Sequence, residues 1–245
     1  SACAMIGALP VFNVNQLTQA VNDILLEPNG VEVTNYTNLG IGVFLVIITS
    51  IVVLGGLKRI GKVTARLVPS MVFLYFILVV IILIVNIEVV PKYFMMIFTD
   101  AFSADFINEE SFFGGVVGAL IILGIKRGAF SNEAGVGTAP MAHGAAKTDE
   151  PVREGLVAML GPFIDTIIVC TLTALAILVT EVWQTTDTNG VSLTATAFGN
   201  AMPGVGKYLL MICVAIFSIS SLFSYSYYGT KSLSFLVGSK YKHLY

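Results

Sequence analysis

Charge is scarce in this sequence. Of its 245 residues, 11% are Asp, Glu, Lys or Arg, against about 25% in an ordinary soluble domain, while 56% are hydrophobic and mean hydropathy is +0.87. A soluble fold would have too few charges to cover its surface, so the bilayer is the solvent to reason with. Cysteine is also scarce: Cys3, Cys170 and Cys213 all sit in apolar runs, where a small buried hydrophobe is the simpler reading than a disulfide or metal ligand. With a net charge of -2 there is no basic surface for nucleic acid. No initiator Met, charged leader or cleavage site precedes Ser1 to Val11, which already reads as the inside of an apolar helix; the N-terminus is expected to be cut and the chain to be a fragment.

Long apolar runs are what is present. A helix needs about 20 residues to cross a hydrocarbon core of about 30 Å, and one transmembrane domain, 1–245, is expected with segments at about 1–16, 39–57, 67–87, 112–146, 155–180 and 208–229. Pro69 would fall in the first turn of the third, where its missing N–H costs nothing. The fourth segment is broken. Its apolar part, Phe112 to Ile125, reaches only about 21 Å at about 1.5 Å per residue. A charged, glycine-rich stretch from Lys126 to Gly137 and a short apolar piece to Ala146 follow. Gly161-Pro162 predicts a kink in the fifth segment. Basic residues alternate between loops as topology signals do. Lys58, Arg59, Lys62, Arg66, Lys147, Arg153, Lys231, Lys240 and Lys242 mark the cytoplasmic side, and the intervening loops hold only Lys92 and Lys207.

Ionisable groups at membrane depth cost at least a few kcal/mol, so Lys126, Arg127, Glu133 and Asp165 need partners or a water-filled cavity. Gly124, Gly128, Gly135 and Gly137 permit backbone that frees N–H and carbonyl groups, which in transporters bind substrate or ion. The plainer reading is a helix–loop–helix buried for packing, its charges neutralising one another. In the sixth segment Ser218, Ser220, Ser221, Ser224 and Ser226 accompany Tyr225, Tyr227 and Tyr228. Such neutral oxygens suit Na+, and they equally suit hydrogen bonding between helices. A membrane enzyme with Ser131 as nucleophile is disfavoured: no G-x-S-x-G surrounds it, and His143 and His243 fall in or near cytoplasmic loops. A non-transporting scaffold remains as a third class.

GIKRGAFSNEAGVGTAPMAHGAA at Gly124 to Ala146, Pro151-Val152, GPFIDTIIVCTLTALAILVT at Gly161 to Thr180, GGLKRIGKVTARLVPSM at Gly55 to Met71 and SYYG at Ser226 to Gly229 closely resemble the sodium:alanine/glycine symporter family of bacteria and archaea. That resemblance implies an all-α integral membrane protein with the five-plus-five inverted-repeat fold of the leucine-transporter type. The six segments here would be core helices three to eight. It implies Na+-coupled symport of a small neutral amino acid across a prokaryotic plasma membrane by a multi-pass monomer, with Na+ as coupling ion, no organic cofactor and no enzymatic activity. Proton coupling through Glu133 or Asp165 is the alternative. Carried over, it implies that Phe130, Ser131, Asn132 and Gly135 line the amino-acid site, and that Ser220 and Ser221, Thr-Thr in many relatives, ligate Na+. Asp165 would be a further ion ligand or the partner of Lys126 or Arg127. Two substrate-facing positions depart from the family pattern: Asn13 stands where a longer amide is common, and Tyr225 where Trp is common. Alanine, glycine or a larger relative such as glutamine therefore stay open as substrate.

Overall fold

The computed structural model describes residues 2–101, 118–131 and 137–238, and among them there is helix, turn and loop but no strand. The described residues fall into two compact units, Ser1–Val85 with Thr180–Tyr245, and Asn86–Val179. Among the described residues, four helices are long and apolar enough to cross a membrane: Asn35–Val53, Lys58–Val85, Pro151–Val179 and Gly206–Leu236.

In the first unit, α1 (Ala2–Val21) runs into a π turn, Asn22–Leu26, and a 3-10 turn, Glu27–Asn29. Gly30, in the left-handed region at φ 73°, stops it. α2 (Asn35–Val53) starts before the apolar run because Thr34 and Thr37 form a capping box, the Thr34 N–H donating to Thr37 Oγ1 at 2.9 Å and the Thr37 N–H returning to Thr34 Oγ1 at 3.4 Å. α3 (Gly56–Val85) likewise starts well before the expected Leu67. Lys58, Arg59, Lys62 and Arg66 are exposed along its early turns while Ile60 is buried. A charged, amphipathic lead-in can thus extend a spanning helix into the headgroup region. Pro69 is consequently inside the helix and not in its first turn, where it removes one hydrogen bond from the ladder.

Two short helices, α9 (Val182–Thr185) and α10 (Val191–Ala201), follow in this unit and lead to α11 (Gly206–Val237). α11 is the hub, packing on α1, α2, α3 and α10. The side chains of Phe198, Phe223, Ile82 and Val79 are fully buried, and the Phe198 ring stacks on Tyr75 at 5.9 Å. α10 is pinned to the end of α1 by side chains: Ser192 Oγ donates to the Asp23 carboxylate, and Gln16 Oε1 accepts the Val191 N–H at 3.3 Å. These acceptors satisfy groups at a helix start that has no cap of its own. Gly190 turns the chain there at φ 63° and ψ -131°. A Cβ at that position would lie 2.9 Å from Gln16 Oε1. Truncating Phe198 to Ala removes the largest plug of this core and should destabilise the protein by about 3 kcal/mol, measured as a shift in its unfolding midpoint in mixed micelles.

The labels of the second unit run α4 (Val90–Ala101), α5 (Gly118–Ser131), α6 (Ala139–His143), α7 (Pro151–Pro162) and α8 (Cys170–Val179). A π-helical segment, Phe163–Val169, joins α7 to α8, so Pro151–Val179 is one span. Pro162 cannot donate to the carbonyl one turn back, and the ladder widens immediately after it. α6 is tied to α7 by His143 Nδ1 and Glu154 Oε1, 2.7 Å apart. α4 packs on α8, and α5 packs on the π segment.

Candidate substrate and ion site

Within the first unit, α1 and α11 pack on each other more extensively than any other pair of helices. α1 presents Asn13, Leu17 and Ala20, at helical i, i+4 and i+7 spacing, all buried. Asn13 is 5% exposed. Its amide is a polar group set in an otherwise apolar helix face, of the kind that can meet a ligand. On α11 the residues Ser218, Ser221, Tyr225 and Tyr228 fall at i, i+3, i+7 and i+10. Three of them are buried and Ser221 is half-buried. The Tyr225 and Tyr228 rings meet edge to face, centroids 6.4 Å apart. Further along, Lys231 Nζ lies 5.8 Å from the centre of the Tyr227 ring.

The hydroxyls on α11 are oriented by their own helix. Buried Ser220 Oγ donates to the Phe217 carbonyl at 2.9 Å, Ser224 Oγ to the Ser220 carbonyl at 3.3 Å, and Ser226 Oγ to the Leu222 carbonyl at 2.9 Å. A serine that spends its proton on a carbonyl one turn back keeps its oxygen lone pairs free. Those lone pairs can accept from a ligand or coordinate a hard cation. Ser221 has no hydrogen-bond partner among the described residues.

The second unit carries the described parts of the segment that the sequence predicts to be broken. α5 ends at Ser131, with Phe130 also in its last turn. Asn132, Glu133 and Gly135 lie outside the described residues. On the far side Gly137 is left-handed at φ 78° and Thr138 is fully buried, immediately before α6 begins at Ala139. Sequence reasoning passed over Thr138. A threonine beside a glycine carries no signal until its burial is known. Lys126 and Arg127 are exposed, and neither has an ion pair among the described residues. Asp165 is half-buried in the π segment that α5 packs against. Asp165 falls in the same unit as Phe130 and Ser131, and Asn13, Ser220, Ser221 and Tyr225 all fall in the other.

Over its whole length, residues 1–245, the chain matches the profile of the sodium:alanine symporter family. The chain belongs to the sodium:alanine symporter family. Among relatives of this symporter-family chain, the sodium/alanine symporter AgcS of Methanococcus maripaludis is 40% identical over 100% of this chain and 52% of its own length. GlnT of Bacillus subtilis, described as a probable sodium/glutamine symporter, is 33% identical over 82% of this chain and 41% of its own length. A sodium/proton-dependent alanine carrier protein of Bacillus sp. strain PS3 is 32% identical over 81% of this chain and 47% of its own length. The chain spans about half the length of the curated relatives it matches. The family is one of membrane transporters and not of enzymes, in keeping with the four membrane-length helices.

Proposed function

We propose that this symporter-family chain forms part of a secondary active transporter that couples the inward movement of Na+ to uptake of a small neutral amino acid across a prokaryotic plasma membrane. The observation that supports the reading is the close packing of α1 on α11, the helices that carry buried Asn13 and the hydroxyls of Ser220, Ser221 and Tyr225. A zwitterionic ligand needs polar partners in an apolar wall, and Na+ needs neutral oxygens. The two helices offer both.

In this reading Phe130, Ser131, Asn132 and Gly135 are the substrate-binding candidates of the second unit, Asn13 and Tyr225 those of the first, and Ser220 and Ser221 are the Na+ ligands of the first. Asp165 is a second candidate ion ligand. The partial leucine-transporter-type inverted repeat, with these segments as core helices three to eight, supplies alternating access around the site. The relatives' names span alanine and glutamine, and Asn13 and Tyr225 are the residues that set the choice here. A relative named for both sodium and protons keeps proton coupling as the second reading.

The test is uptake by a full-length transporter carrying this chain, reconstituted in proteoliposomes. An inward Na+ gradient should drive accumulation of labelled alanine or glutamine. Accumulation driven by a pH gradient in the absence of Na+ would transfer the coupling to protons, and uptake indifferent to both gradients would remove the symport reading.

A further inference from the structure

The described part of α4 is shorter than a membrane span. Its residues Val90–Ala101 rise about 18 Å at about 1.5 Å each, against a hydrocarbon core of about 30 Å. It lies between charged residues, Glu88 in the preceding turn and Asp100 in its own last turn. Yet a large part of its surface is apolar and uncovered. Phe94 is 46% exposed, Met95 61% and Phe98 50%. With exposed Pro91 these residues sit at i, i+3, i+4 and i+7, one continuous stripe. The Phe94 and Phe98 rings lie edge to face at 5.3 Å, which makes the stripe a single aromatic ridge. Tyr93, on another face, is 2% exposed, and α4 packs on α8. A third face is polar. It carries Lys92, whose Nζ lies 5.3 Å from the Tyr93 ring, and Thr99, whose hydroxyl donates to the Met96 carbonyl at 3.2 Å.

A helix with one side packed, one apolar side bare and one polar edge fits the boundary between acyl chains and headgroups. Chain continuity says what covers the bare side. α4 follows the membrane-length helix α3 after a turn of only four residues, 86–89, and the last residues before it, Ile84, Val85 and Ile87, are themselves apolar and exposed. A helix of membrane length that ends here brings the chain to a bilayer surface. We propose that α4 is an interfacial anchor, lying at the membrane–water boundary where α3 ends, with Phe94, Met95 and Phe98 in the outermost acyl layer and Lys92 beside lipid phosphates. The Phe pair and the lysine make the two halves of the contact, apolar insertion and charge.

The chain has one tryptophan, Trp183. In a full-length transporter in which Trp183 and any tryptophan outside this chain are replaced by Phe, Phe98→Trp and, separately, Phe94→Trp place a fluorophore on the ridge, and Phe44→Trp places one on an exposed face in the middle of α2. The protein is reconstituted in vesicles of lipids brominated either near the headgroup or near the chain ends. Both ridge variants should be quenched roughly twofold more strongly by the shallow bromines, while Phe44→Trp shows the reverse order. Ridge fluorescence insensitive to either lipid overturns the proposal and means that water or another protein segment faces the ridge. Quenching strongest with the deep bromines also overturns it, since α4 would then be inside the core. Two ridge positions guard against misfolding of either variant.

Discussion

Replacing Ser220 and Ser221 together by Ala raises the Na+ concentration needed for half-maximal uptake at least tenfold and leaves the protein folded. Each ligand oxygen lost from a cation site weakens binding by about 1.4 kcal/mol or more, which is tenfold in affinity. The fold tolerates the change because the hydroxyl of Ser220 bonds only to the Phe217 carbonyl of its own helix, a bond that is locally redundant in a helix. If these residues were instead interhelical glue, the thermal midpoint would drop and Na+ dependence would stay as it was. A sodium titration of initial uptake rates, beside a thermal melt in detergent, separates the two.

Asn13→Leu gives the second large effect, and the comparison of uptake with stability is the informative part. Leu nearly matches the shape of Asn and offers no polar group, so the substrate loses a partner inside a dry wall at a cost of about 1–3 kcal/mol, seen as a roughly tenfold to hundredfold loss in uptake efficiency. Asn13 is buried where α1 carries Leu17 and Ala20 on the same side, so an apolar side chain of similar size should keep the packing. The variant should therefore transport poorly and melt close to the wild type. A variant that melts lower, with efficiency reduced in proportion, would make Asn13 a structural residue and detach it from the substrate.

What the sequence made legible follows from what composition can encode. Apolar runs report helices because length and hydropathy are one-dimensional, and among the described residues membrane-length helices begin at Asn35, Lys58, Pro151 and Gly206. Helix starts were not legible in the same way. The lead-in of α3 through Lys58, Arg59, Lys62 and Arg66 looked like loop because charge was read as the end of the span, and that error placed Pro69 in a first turn it does not occupy. α4 and α10 were missed as helices within loops. α10, with Ser, Thr and Gly among its residues, has little helical preference of its own and is held by Gln16 and Asp23, more than 160 residues away in sequence. The candidate site divides along the same line. Tyr225 and the serine pair stand out in sequence as polar groups in an apolar run, and Asn13 stands out by its departure from a family pattern. The pairing of α1 with α11 and the burial of Thr138 exist only in three dimensions.

Coupling makes the central claim measurable at equilibrium, since two ligands that share a site must each change the other's affinity by the same factor. Equilibrium binding of labelled amino acid to the detergent-solubilised full-length transporter, with Na+ replaced stepwise by choline, is the direct measurement. The account predicts that the affinity for the amino acid rises at least tenfold with Na+ in the wild type and that this rise disappears in Ser220→Ala/Ser221→Ala. Amino-acid affinity that is the same in Na+ and in choline would contradict it.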